Sequence, residues 1–209
     1  KDHASVWDVE SGDLVRRLGR NRYVFTVAFA PDGKHVATGG ADGVVRLWDA
    51  SGSAAATTVG NAGGRVIALR FDDAGDRLAA VSRDTSARIW TIGAESAPII
   101  LNGHTDDVTG IAFSDGGTLV VTSSEDGTAR VWQAATGEPL LTIPGQSKAQ
   151  AAPYARFAPD GHVLVAPSER VLRVYACEVC VGTDDLVALG EKHVARPLTR
   201  AERRTFLHE

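Results

Sequence analysis

The sequence predicts an all-β fold of repeated four-stranded sheets, and three observations lead there. The four Trp residues stand at positions 7, 48, 90 and 132, spaced 41, 42 and 42 apart. Four of the six Phe residues, Phe29, Phe71, Phe113 and Phe157, are spaced 42, 42 and 44. Between them one phrase recurs: TGGADGVVRLW (38–48), AVSRDTSARIW (80–90) and TSSEDGTARVW (122–132). A period near 42 falls in the ~40–45 residue window of four-stranded propeller blades. Aromatics recurring at such a period are expected in the same kind of packing each time.

Taken in order, residues 4–18 (ASVWDVESGDLVRRL) supply two strands, and residues 23–143 supply three full sets of four. Residues 153–175 supply three more strands. The clearest set reads DVTGIAF (107–113), TLVVTS (118–123), TARVWQ (128–133) and PLLTI (139–143). These are runs rich in Val, Ile, Thr and aromatics, separated by Gly and Asp turns, which is the hairpin signature. Similar turns, APDGKH, DDAGDR and APDGHV, follow the other periodic Phe residues. Near-continuous apolar runs such as RVIALRF suit a sheet buried on both faces. After Tyr175 the period stops and helix formers take over. Thr183-Asp184-Asp185 can cap a helix to about Val194, Pro197 separates it from the next, and Thr199 with Glu202 forms a capping box. The expected division is blades over 1–176 and a Cys-x-x-Cys loop with a short α-helical tail over 177–209.

The repeats resemble the WD-repeat family of β-propellers over roughly residues 1–176. Trp7-Asp8 and Trp48-Asp49 are the namesake dipeptide, and Trp90-Thr91 and Trp132-Gln133 have lost the Asp. One repeat carries the whole family pattern: Gly103-His104, Thr122, Asp126 and Trp132. The resemblance implies that these side chains form a buried hydrogen-bonded chain, to which Thr38, Asp42 and Trp48 correspond in an earlier repeat. The chemistry is reasonable by itself. A buried indole N–H needs an acceptor, a hydroxyl can accept it and donate onward, and a His between hydroxyl and carboxylate uses both nitrogens. Elsewhere Arg20 and Ala62 stand at the His position and Ala80 at the Thr position, so those blades are expected to rely on packing. The tail, with Cys177-Glu-Val-Cys180, DDLVAL and VARPLTRAERRTFL, resembles that of bacterial WD-repeat proteins, many of which carry a STAND-type NTPase module ahead of the propeller. Val181, inserted before Gly182, departs from that pattern.

Composition limits the function classes. The chain has 209 residues, 44% of them hydrophobic, and a net charge of −4, which argues against nucleic acid or an anionic membrane as partner. No apolar run approaches the ~18 residues of a membrane span and no signal peptide is visible, so a cytoplasmic location is expected. With no Met present, the chain is expected to be an arc of about four and a half blades, completed by an upstream part of the same polypeptide or by a second copy. Cys177 and Cys180 could be structural thiols or a small disulfide loop, half a zinc site with a distant His193, or a redox pair. No Ser or Cys stands beside a plausible base, and PDGKH lacks the residues of a phosphate loop. The basic clusters RRLGRNR (16–22) and RPLTRAERR (196–204) read as solvated faces or partner contacts.

The reading is therefore a non-catalytic scaffold that binds a protein or peptide, with no metal and no cofactor. By resemblance it is the ligand-sensing propeller of a larger bacterial signalling NTPase. The alternative is an enzymatic propeller, a hydrolase or lyase with its site in the channel. By the family layout, specificity falls on Arg22, Gly64 and Asp106 in one set of loops and on Ala41, Arg83 and Glu125 in the turns.

Overall fold

A computed structural model describes residues 3–19, 23–52, 54–144, 155–158, 163–168 and 171–176. The expected helical tail, with Cys177 and Cys180, lies outside the described residues.

The described chain is all-β, apart from one 3-10 turn at Asp115–Gly117. Strands β1 (Ala4–Trp7) and β2 (Leu14–Leu18) form a two-stranded sheet. Three four-stranded antiparallel meanders follow. The first contains β3 (Val24–Phe29), β4 (His35–Gly40), β5 (Val44–Asp49) and β6 (Thr57–Asn61). The second contains β7 (Val66–Phe71), β8 (Arg77–Ser82), β9 (Ala87–Thr91) and β10 (Ile99–Leu101). The third contains β11 (Val108–Phe113), β12 (Leu119–Ser124), β13 (Ala129–Gln133) and β14 (Pro139–Ile143). A three-stranded sheet of β15 (Arg156–Phe157), β16 (Val163–Ser168) and β17 (Val171–Ala176) ends the described part.

Local chemistry fixes the hairpins. In the β3–β4 turn, Asp32 Oδ1 accepts the N–H groups of Lys34 (2.8 Å) and His35 (3.1 Å). Gly33, at φ +66°, then takes the left-handed conformation that closes the turn. A bulge sits at the same place in each first strand, between Val24 and Thr26, Val66 and Ala68, and Val108 and Gly110. Such an extra residue sharpens the local twist of a strand.

The core lies between sheets. The first strands meet in sequence, β3 against β7, β7 against β11 and β11 against β15. Leu69, Leu78 and Val66 pack with Ala37 and Val45 of the preceding sheet. Ile111, Val120 and Trp132 pack with Ala79, Val81 and Ile89. Ala155 and Phe157 close on Leu119, Val121 and Val131. Each fully buried Leu, Ile or Val contributes about 1.5–3 kcal/mol, so the interfaces between neighbouring sheets carry the stability. The β1–β2 sheet packs through Leu18, Ala4 and Val6 on Val36, Ala50 and Trp48.

The periodic aromatics do not share one environment, contrary to the expectation from spacing. Trp132 is fully buried and Trp90 nearly so, whereas Trp7 is 58% exposed. Phe71 and Phe113 are half-buried, whereas Phe29 is 57% exposed. Burial here depends on a neighbouring sheet: Val27 and Phe29 on β3 stay exposed, whereas the Arg65 guanidinium lies 3.6 Å over the Phe25 ring.

Candidate functional site

The site is one end of the sheets, where turns and inter-sheet loops meet above a polar network. Three backbone hydrogen bonds build that end with the repeat period. Ala41 N–H donates to Tyr23 C=O (3.0 Å), Arg83 N–H to Arg65 C=O (3.0 Å) and Glu125 N–H to Asp107 C=O (2.9 Å). Each joins the turn between second and third strands to the loop leading into the first. Ala41, Arg83, Asp106 and Glu125 are exposed there and Gly64 is half-buried. Arg22 lies outside the described residues. Gly64 sits against the backbone of Arg83: a β-carbon on it would stand 3.3 Å from the Arg83 carbonyl. Arg83 Nε pairs with Asp107 at 3.2 Å, tying the second four-stranded sheet to the third. Five of the six loop candidates thus come together on one surface.

Beneath it, the His104 side chain is almost wholly shielded from solvent. Its Nδ1 lies 2.8 Å from Asp126 Oδ2 and its Nε2 lies 2.8 Å from Thr122 Oγ1, which also accepts the Trp132 indole N–H at 2.8 Å. One protonation pattern satisfies every group. The indole donates to Thr122, the Thr122 hydroxyl donates to Nε2, and Nδ1–H donates to the carboxylate. His104 is therefore neutral, and burial, the largest influence, pushes its pKa below the ordinary value. Burial pushes the Asp126 carboxyl up, but this is outweighed by hydrogen bonds from Thr128, His104 and the Thr105 N–H, which hold it at about 2.

The other two four-stranded sheets solve the problem differently. Trp48 Nε1 donates to Thr38 Oγ1 at 2.8 Å, but Asp42 is held by Arg46, with Nη2 2.8 Å from Oδ2. In the next sheet Asp84 accepts from the Ser82 hydroxyl (2.7 Å), the Ser86 hydroxyl (2.8 Å) and Arg88 Nη1 (2.7 Å). Arg88 also bonds the carbonyl of Ala62, the residue standing where a His would be. Burial raises the Asp84 pKa, and these bonds more than reverse it. Ala80 offers Trp90 no hydroxyl, and the indole lies against Gly60, where a β-carbon would collide with it.

An arginine does the histidine's work in these sheets, where the sequence reading left only packing. The signal was present as Arg four residues after each turn Asp, at 46, 88 and 130, but it reads like any exposed i, i+4 pair. Arg130 departs from its repeat mates. Because Asp126 faces His104, Arg130 has no ion-pair partner among the described residues, and its Nε is buried without a hydrogen bond.

No group of three or more His, Cys, Asp or Glu among the described residues could hold a metal ion. No helix among them is long and apolar enough to cross a membrane.

Three segments, residues 12–49, 52–91 and 97–133, match the family described as WD domain, G-beta repeat, and together they cover more than half of the chain. Each runs from the last strand of one sheet through the third strand of the next. The repeat therefore straddles two sheets, and its His position lies in the connection between them. A search of curated proteins gives no match.

Proposed function

This chain belongs to the WD domain, G-beta repeat family, and we propose that it is a non-catalytic interaction scaffold whose loop-rich end binds a protein or peptide. WD repeats generally mediate protein–protein interaction and are typically non-catalytic. One observation carries the reading: charged side chains of Arg83, Asp106 and Glu125 stand exposed on loops pinned by the periodic hydrogen bonds. Exposed charges on a rigid support orient a partner and speed its encounter. The histidine with motif support has both ring nitrogens occupied and is buried, an arrangement that supports a structural role over a catalytic one.

In the fuller form of the proposal, the chain is the ligand-sensing propeller of a cytoplasmic bacterial signalling NTPase, and engagement of the loop end is relayed to an upstream module. This part rests on the resemblance of the tail, with Cys177 and Cys180 as structural thiols or a small disulfide. Reading the complete coding sequence tests it. A Gly-x4-Gly-Lys-Ser/Thr phosphate loop ahead of the propeller supports it, and an upstream region without any nucleotide-binding signature overturns it. The binding surface is tested separately by affinity purification with the wild-type chain and with Arg83→Glu/Glu125→Arg. Partners recovered by the wild type should be lost by the double variant, with the thermal midpoint lowered only slightly, because the largely exposed Arg83–Asp107 pair that the reversal breaks contributes at most about 1 kcal/mol. Equal recovery by both would refute the assignment of this surface.

A further inference from the structure

The connection from β10 to β11 holds a chemical feature that the proposed function leaves unused. Of the three Asn residues, at 21, 61 and 102, only Asn102 precedes a glycine. Asn102 and Gly103 follow the end of β10 at Leu101 and stand exposed ahead of the buried His104. Among the described residues no hydrogen bond engages the Asn102 amide or the Gly103 N–H. Asn61 is the contrast: Ala62 follows it, and its Oδ1 accepts the Gly63 N–H at 2.8 Å.

The fold keeps glycine at 103. Its φ is +147°, a conformation that L side chains rarely adopt, and a β-carbon there would stand 2.9 Å from Arg130 Nη1. The backbone nitrogen that follows Asn102 therefore has no side chain to shield it. Arg130 supplies the second observation. Its counterparts Arg46 and Arg88 pair with Asp42 at 2.8 Å and Asp84 at 2.7 Å. Arg130 has no ion pair among the described residues, and its Nε is buried without a hydrogen bond. A half-buried cation in this position favours an anion beside it.

We infer that Asn102 is a site of spontaneous deamidation, and that the carboxylate it gains pairs with Arg130. The Gly103 backbone nitrogen, losing its proton, attacks the side-chain carbonyl carbon of Asn102. A C–N bond forms to that nitrogen, the side-chain amide C–N bond breaks, and ammonia leaves behind a five-membered succinimide. Water then opens the ring at either carbonyl, giving aspartate or isoaspartate at 102. No oxidant or reductant takes part. In the aspartate product the new charge stands one residue, about 3.8 Å between α-carbons, from the glycine beside Arg130. The reaction thus gives the third four-stranded sheet an arginine–carboxylate pair like those of the other two, built on a different carboxylate. The inference does not rest on the loop end being a binding surface.

The test ages the purified full chain in mildly alkaline buffer and follows it by peptide mass mapping. The peptide with Asn102 should gain one mass unit at least tenfold faster than the peptide with Asn61, with isoaspartate detected by enzymatic methylation. Asn102→Gln should stop the gain. The pairing is tested separately. Asn102→Asp should raise the thermal midpoint by about 1–3 °C, the size of an exposed ion pair in a chain of this length. In an Arg130→Gln background the same substitution should give no rise. Conversion at Asn102 no faster than at Asn61 overturns the modification site. A midpoint that does not rise, or that rises equally without Arg130, overturns the pairing.

Discussion

Two sheets of this chain meet the same requirement with different chemistry. In the sheet of β11–β14 a neutral histidine joins Asp126 to Thr122 and Trp132 through bonds of 2.8 Å. In the sheet of β7–β10 the histidine is Ala62 and the threonine is Ala80, and Arg88 with two serines holds Asp84 instead. The shared requirement is to hold a turn carboxylate that would otherwise be half-buried and unsatisfied. The consequence differs: where histidine takes the carboxylate, the arginine of that repeat has no ion pair among the described residues. The network is thus a set of exchangeable parts around a fixed Asp, and losing the family histidine does not leave the turn unsupported.

The largest expected effects come from breaking the histidine chain. His104→Ala strands the Asp126 carboxylate and leaves a cavity, and Trp132→Phe removes the only donor of a fully buried indole. Each should lower stability by about 1–3 kcal/mol, with a further cavity cost for the alanine, as read from denaturant midpoints. Next comes the comparison of arginines. Arg88→Ala should cost about 1–2 kcal/mol, because a charge-assisted bond to Asp84 and a bond to the Ala62 carbonyl are lost. Arg130→Ala should cost much less, since no ion pair among the described residues goes with it. Equal losses at 88 and 130 would break the comparison.

The smallest effect is a pH dependence between 7 and 5 that His104 contributes. The pKa of His104 is lowered in the folded chain, so below about 6.5 the unfolded chain binds a proton that the folded chain does not. Stability should therefore fall as pH drops from 7 to 5, and His104→Gln should flatten that limb. Asp126, lowered to about 2 from 3.8, contributes stability above pH ~4 that is lost as pH falls toward 2.

Much of the fold was legible because the period is a packing signal. Trp, Phe and turn Asp at intervals near 42 locate every sheet, and Gly33 in PDG marks a hairpin. The histidine chain was legible from four residue types at family spacing. The arginine substitution was not, because Asp-x3-Arg on a strand looks like any solvated pair until Ala62 and Ser82 are seen beside it. Nor was the bare face of β3. Val27 and Phe29 carry the same pattern as Leu69 and Phe71, and sequence pattern records the wish to be buried without recording whether a neighbour is present. The loop candidates follow from layout alone, and the Arg83–Asp107 pair joins two sheets that no spacing rule brings together.

The central claim, that histidine and arginine compete for one carboxylate, is tested most directly by double-mutant cycles at matched positions. Asp84→Ala and Arg88→Ala, alone and combined, should show coupling of about 1 kcal/mol or more, within the range for bonded neighbours. Asp126→Ala with Arg130→Ala should show coupling near zero, whereas Asp126→Ala with His104→Ala should be strongly coupled. Strong coupling between Asp126 and Arg130, or none between Asp84 and Arg88, would contradict the account.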